Sequence, residues 1–152
     1  MAPADKYYKF KALPDDILTR LQQLPLYLAQ SDVLLAYLFG SLAQAGKGQD
    51  VDLALLMPEG ERPYHLRQVL SDWLATERLD IVDLRRAAPV LRFEIISTGR
   101  CLFAYNDTIQ LDFERQTLRQ YKDTAWLRQK QLQLLHERMN QWSSNTTALP
   151  NG

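Results

Sequence analysis

A chain of 152 residues is long enough for one domain with a sizeable core, and 46% hydrophobic with 24% charged residues is ordinary for a globular protein. The formal net charge is zero, so no basic surplus exists to hold a long nucleic acid, and Cys101 as the only cysteine excludes a disulfide framework. No apolar run approaches membrane-spanning length and no signal-peptide core opens the chain, so a cytoplasmic protein with no membrane partner is expected.

Residues 1–12 read as an arm in which Lys6, Tyr7, Tyr8, Lys9, Phe10 and Lys11 interleave basic and aromatic groups. Such runs can bind nucleic acid. The shortness of this one and the balanced total charge favour aromatics tucked against the domain. Pro14, Asp15 and Asp16 open a helix, since proline suits a first turn and carboxylates suit the positive end of the dipole. Ile17, Leu18, Leu21 and Leu24 form its expected buried stripe. Pro25 is expected to stop or kink it, with Pro25–Gln30 as a separate short turn of helix.

Val33–Phe39 is an apolar run bounded by Ser31-Asp32 and Gly40-Ser41. That pattern predicts a buried strand ending in a tight turn. Asp50–Met57 reads as a second strand. Alternation sends Asp50 and Asp52 to one face, about 7 Å apart at Cα, and Val51, Leu53 and Leu55 to the other. Two unpaired carboxylates repel. A divalent cation removes that cost, and Mg²⁺ favours a few carboxylates completed by phosphate oxygens and water. Gly40 lets backbone approach a ligand closely, and Ser41 offers a hydroxyl and an N–H to phosphate.

Pro58, Glu59 and Gly60 break the second strand. Pro63 opens a helix with Leu66, Val69, Leu70, Trp73 and Leu74 at helical spacing. His65 lies beside that stripe with no second His or Cys nearby, so it reads as a surface or core-edge residue. Leu79–Leu84 is a third strand carrying Asp80 and Asp83, which face opposite ways. Only one of them can join a site, and an ionised aspartate in a central strand needs a partner. Arg85 and Arg86 follow, either as phosphate-neutralising groups or as a solvated strand exit.

Pro89 opens a short helix through Phe93, Ile95 and Ile96, closed near Gly99. Cys101–Tyr105 reads as a strand, and Asn106-Asp107 as a turn and helix cap. From Thr108 to Trp142 there is neither Gly nor Pro, and Leu111, Leu118, Ala125, Leu132 and Met139 recur every seven residues. This predicts one amphipathic helix about 50 Å long, more than a small domain can cover. Its distal residues Trp126, Leu127, Leu132, Leu134, Leu135 and Met139 are expected to pack against something else. The alternative is a helix that folds back in two pieces. His136-Glu137-Arg138-Met139 lacks the second histidine of a zinc-protease motif.

The strand–Gly40-Ser41–loop–Asp50-x-Asp52-Leu53 unit resembles the signature of minimal nucleotidyltransferases in the DNA polymerase β superfamily. From Leu13 to Tyr121 the order of elements is most similar to the MNT proteins paired with HEPN ribonuclease toxins, the MntA type. The resemblance implies an α/β fold, a mixed sheet with flanking helices and a long C-terminal helix. It divides the chain into an arm (1–12), a nucleotidyltransferase core (13–107), a helix for partner or self-association (108–142) and a disordered tail (143–152). Asp80 matches the third carboxylate of the superfamily. Asp50, Asp52 and Asp80 are then the expected catalytic carboxylates and ligands of Mg²⁺, as two ions, with Gly40 and Ser41 at the nucleotide and ATP as substrate.

The same resemblance implies an antitoxin that transfers AMP from ATP to a tyrosine of a cognate HEPN toxin. The implied assembly is a hetero-oligomer with that toxin, or a homodimer through the C-terminal helix. Eight residues separate Ser41 from Asp50, slightly fewer than the usual linker. The common pattern runs Gly-Ser-x-Ala-Arg-Gly; Ala43 matches, Gln44 replaces the Arg, Ala45 replaces the Gly, and Gln49 replaces a Ser or Thr. Two other readings stay open. One is an antitoxin of this fold that neutralises its toxin by binding. The other is a small-molecule nucleotidyltransferase, a class that usually carries a further helical domain for which little chain is left here.

Overall fold

The computed structural model describes residues 12–147. The expected basic–aromatic run of the arm lies outside the described residues. A four-stranded sheet carries helices on both faces. Its strands are β1 (Leu35–Phe39), β2 (Val51–Leu56), β3 (Leu79–Asp83) and β4 (Arg100–Ala104), in the spatial order β3-β2-β1-β4. β1 is antiparallel to β2 and β4, and β2 is parallel to β3, so the sheet is mixed as expected.

Helices α1 (Ile17–Leu28) and α3 (Arg67–Leu74) cover one face. Ile17, Leu21, Leu24 and Leu28 of α1 and Leu70 and Leu74 of α3 are buried there against Ala36, Leu38, Leu53, Leu55 and Leu79. Helices α4 (Pro89–Thr98) and α5 (Asp107–Asp123) cover the other face. Ile95 and Phe113 pack on Leu35, Tyr37, Ala54, Leu56 and Leu84. The Tyr37 hydroxyl donates to Glu114 Oε1 at 2.8 Å, which pins α5 to the central strand. Burial, then the Glu114 carboxylate, push the Tyr37 phenol well above its usual range. Gly99 closes α4 where a side chain would meet the Ile95 and Leu38 carbonyl oxygens at 2.4 and 2.8 Å. Only glycine lets the helix end so close to β1.

On this second face α4 and α5 pack chiefly against β1 and β4. Ala54 and Leu56 of β2 are covered there, but the end of β2 and β3 at Asp52 and Asp80 is left open, with Asp80 exposed and Val82 only half buried. That opening exposes the strand edge on which Asp52 and Asp80 lie.

Several local expectations are corrected. Pro25 neither ends nor splits the first helix, and Pro25–Gln30 is not a separate turn; α1 runs through it to Leu28. A helix-interior proline costs about 3 kcal/mol. Burying Leu24 and Leu28, both fully inaccessible, returns about 2 kcal/mol each. Leu18 and Val69, expected in buried stripes, are 43% and 42% exposed. The segment opened by Pro63 is a 3-10 turn over Pro63–Leu66 that leads into α3. Asn106 caps α5 as expected, its side chain accepting from Ile109 N at 2.8 Å.

The long C-terminal helix is interrupted. α5 ends at Asp123, and α6 spans Ala125–Thr147, past the expected end at Trp142 and into the expected tail. The break sits at Thr124, whose hydroxyl donates back to the Gln120 carbonyl at 2.9 Å. Such back-bonding bends helices. Arg128 seals the joint: it donates to the Tyr121 carbonyl at 2.8 Å and lies over the Tyr121 ring, which stacks on Phe93. The seven-residue repeat does not choose the buried face of α5. Phe113 and Thr117 are buried, while Leu111 and Leu118 are 47% and 42% exposed. Tyr37 and α4 set that orientation, and neither belongs to the helix pattern. Every described side chain from 129 to 145 is exposed.

Candidate active site

β1 ends at Phe39, and the chain turns at Gly40 into the short helix α2 (Ser41–Ala45). Gly40 has φ +78°, and a Cβ there would lie 2.3 Å from Asp52 Oδ2. The turn is thus folded directly over the Asp52 carboxylate, in a backbone region only glycine adopts at low cost. Gly46 closes α2 in the left-handed conformation. Gly48 returns the loop so closely that a Cβ would meet Ser41 Oγ at 2.7 Å. The tight turn expected after β1 is therefore a one-turn helix held between Gly40 and Gly48, with Ser41 exposed at its start.

Strand pairing brings the carboxylates together. Asp52 is opposite Phe39 on one side and directly in register with Asp80 on the other. Parallel register gives Asp52 and Asp80 one face, while Asp50 lies in the bend just before β2 and not, as expected, in the strand. Asp52 is half-buried, while Asp50 and Asp80 are exposed. Burial pushes the Asp52 carboxyl above its usual range, and the charges of Asp80 and Asp50 push it further. Its carboxylate also lies within hydrogen-bonding reach of Asp80. Asp50 pairs with Arg78, with Nε to Oδ1 at 3.9 Å.

Asp83 is elsewhere. It is 4% exposed, on the opposite face of β3, where Oδ1 accepts from Arg85 N and Oδ2 lies 3.8 Å from Arg86 Nε. Arg85 itself donates twice to the Met57 carbonyl, at 3.1 and 2.7 Å. Of the two readings of Arg85-Arg86, the strand exit is the one observed: both are exposed in the turn that follows the end of β3 at Asp83. His65 is exposed, with Nδ1 2.8 Å from the Arg62 carbonyl. Arg78 is the site residue that sequence reading missed. Its signal was there, two positions before Asp80, but only the β2–β3 register puts it beside Asp50.

Among the described residues, no three His, Cys, Asp or Glu side chains converge as a ready-made metal cage. The donors still suit Mg²⁺. They are all oxygen, they crowd Asp52 with negative charge, and the face is open to phosphate. Mg²⁺ is ordinarily held by one or two carboxylates with substrate phosphates, so no closed cage is needed.

No helix among the described residues is long and apolar enough to cross a membrane. The model of the family "Polymerase beta, Nucleotidyltransferase" matches residues 22–108. No curated protein matches the chain. Among solved structures, similarity extends to a tri-AMPylated Shewanella oneidensis HEPN toxin in complex with MNT antitoxin. The matched chain there is 24% identical with a TM-score of 0.62, covering 79% of this chain and 98% of that one. A chain of a toxin–antitoxin structure with AMP-PNP is 25% identical with a TM-score of 0.61, covering 82% of this chain and 99% of that one. A chain of a MntA–HepT toxin–antitoxin structure is 23% identical with a TM-score of 0.62. The family match takes in β1, the Gly40 turn, both carboxylate strands and β4, the whole frame on which these side chains meet, and the chain accordingly belongs to the polymerase β nucleotidyltransferase family.

Proposed function

We propose that this nucleotidyltransferase is an antitoxin that transfers AMP from ATP to a tyrosine of a cognate HEPN toxin. One observation carries the chemical half of the reading: Asp52 and Asp80 stand in register on an open face, under a turn that only glycine can make. The partner half rests on the solved likenesses, one with a tri-AMPylated HEPN toxin and one with AMP-PNP. The exposed apolar residues of α6 offer that partner a surface. A cytoplasmic location fits such a role.

In this reading Asp50, Asp52 and Asp80 are the catalytic carboxylates, and Gly40 and Ser41 hold the triphosphate. Asp50 and Asp52 would hold Mg²⁺, which would supply charge neutralisation on the phosphates. Ser41 donates its hydroxyl to a phosphate oxygen, and the Gly40 turn admits the nucleotide against the Asp52 strand. The acceptor hydroxyl oxygen forms a bond to the α-phosphorus. The bond from that phosphorus to the bridging oxygen breaks, and pyrophosphate leaves with the electron pair. Asp80, exposed at the strand edge, either holds a second ion that would lower the pKa of the attacking hydroxyl or accepts the hydroxyl proton directly.

The test is intact-mass measurement of the toxin after incubation with this protein, ATP and Mg²⁺. AMP-sized mass additions are expected, and none with Asp50→Asn combined with Asp52→Asn. A double variant that still modifies the toxin at the wild-type rate would overturn the assignment. A second reading has its own support: Asp50 is tied to Arg78, and Gln44 replaces the usual loop arginine. It is a catalytically weak antitoxin that neutralises by binding. It predicts a stable complex and an unmodified toxin.

A further inference from the structure

A cavity of about 480 Å³ opens beside α5, at the end of the sheet away from the carboxylates. Its floor is apolar. Leu34 precedes β1, and Leu56 closes β2 four residues, about 13 Å, beyond Asp52. Phe113 of α5 packs against Leu56 and closes the floor. Small-ligand sites usually measure about 300–1,000 Å³ and pair such apolar surface with a few polar groups.

Here the polar groups are cationic. Arg85 and Arg92 bring two guanidiniums to the cavity, and Asp112 brings one carboxylate. Arg86, the next residue along, is paired with Asp83 instead. The lining therefore carries one positive charge in surplus. Both guanidiniums are anchored with donors to spare. Arg85 donates to the Met57 carbonyl through Nε and Nη2, and its Nη1 has no partner among the described residues. Arg92 donates through Nη2 to the Arg85 carbonyl and through Nη1 to Gln120 Oε1 at 3.3 Å. Its Nε is buried without a hydrogen-bond partner, so the chain alone does not satisfy this guanidinium. Burial, and then the charge of Arg85, push Arg92 below its usual range. An anion set against the two arginines would offset both effects. On the α5 side, the Gln116 amide makes no hydrogen bond among the described residues and is free to donate.

We propose that this cavity binds a small organic anion, an oxyanion group on a compact apolar body, at a site separate from the carboxylate face. The oxyanion, a phosphate or a carboxylate, accepts from Arg85, Arg92 and the Gln116 amide. Guanidinium matches either group with paired donors. The apolar body lies on Leu34, Leu56 and Phe113. A bare ion would leave that floor in water, so the body adds affinity. Nothing in this inference depends on the nucleotide reading of Asp50, Asp52 and Asp80.

The experiment titrates the full chain with phenyl phosphate, benzoate and inorganic phosphate, following the methyl resonances of Leu34, Leu56 and Ile109. Phenyl phosphate or benzoate is expected to bind about tenfold more tightly than inorganic phosphate, and the tighter of the two identifies the oxyanion. Arg85→Gln and Arg92→Gln should each weaken that probe about tenfold to a hundredfold, the cost of one charge-assisted contact. Asp112 and Gln116 are exposed on α5, so their variants keep the fold and carry the test if the arginine variants do not. Asp112→Asn should tighten binding and Gln116→Glu weaken it, each about fivefold. Asp52→Asn should bind the probe as wild type does. Probes that leave these methyl resonances unmoved would overturn the proposal and leave Arg85 and Arg92 as struts between the β3 exit and α5. Equal affinity in Asp112→Asn and Gln116→Glu, or inorganic phosphate bound as tightly as either organic probe, would overturn it too. Binding lost in Asp52→Asn would place the probe on the carboxylate face and refute a separate site.

Discussion

A Cβ at Gly40 would fall 2.3 Å from Oδ2 of Asp52. Gly40 directly follows β1 and Asp52 is the second residue of β2, so the turn lies over the carboxylate. Gly40 sits at φ +78°, ψ −162°, a region that costs any other residue about 1–3 kcal/mol. Gly40→Ala should lower the melting temperature and abolish transfer. Adding Asp52→Ala removes the collision, so the double variant should recover part of the stability but none of the activity. Strictly additive losses in denaturant unfolding would show that the two side chains do not compete for space.

Asp52 gives the protein a definite pH response. Its carboxyl is raised in the folded state by burial and by Asp80 and Asp50. The native state therefore holds this proton more tightly than the unfolded chain. The associated stability is fully present below the ordinary aspartate range. It declines as pH rises through the raised value, so at neutral pH the ionised group costs stability. Asp52→Asn should melt higher than wild type at pH 7, with the advantage shrinking as the pH is lowered toward 4. Millimolar Mg²⁺ should raise the wild-type melting temperature and leave that of Asp52→Asn nearly unmoved. A variant that melts lower than wild type at pH 7 would contradict this account.

Ser41 should act on the nucleotide rather than on the metal. Its hydroxyl lies against Gly48, which holds the loop end in place. Ser41→Ala removes one hydrogen bond to a charged phosphate, worth about 1.5–3 kcal/mol. The expected result is a raised KM for ATP with unaltered Mn²⁺ binding. Gly48→Ala should copy the effect by displacing Ser41. An unchanged rate at limiting ATP would make Ser41 a turn residue only.

The apolar residues of α6 should matter to a partner and not to the fold. Leu132, Leu135 and Met139 are 66%, 54% and 60% exposed and share one helix face. Leu132→Asp with Leu135→Asp should leave the melting temperature nearly unchanged. Association with the toxin, or self-association, should weaken by about 2 kcal/mol or more. Sizing chromatography with and without the toxin, together with a thermal melt, checks both halves. A large drop in melting temperature would show that the stripe is core. Undisturbed assembly would show that it is no interface.

Short-range pattern was enough to read the four strands and the Gly40-Ser41 turn. Alternation and turn chemistry are properties of neighbouring residues, and the fold leaves them intact. The Asn106 cap was legible for the same reason. Tertiary packing decided the rest. Pro25 stays inside α1 because Leu24 and Leu28 are buried beneath the helix. α5 turns Phe113 rather than Leu111 inward because Tyr37 and Glu114 fix its rotation. The pairing of Asp52 with Asp80, and of Asp50 with Arg78, comes from the register of two parallel strands separated by a helix. Residues 28 positions apart carry no local signal of such register. It is set where Leu53, Leu55 and Leu79 meet the helices that cover them, since a slip of one residue would turn those side chains out of the core and the carboxylates away from each other.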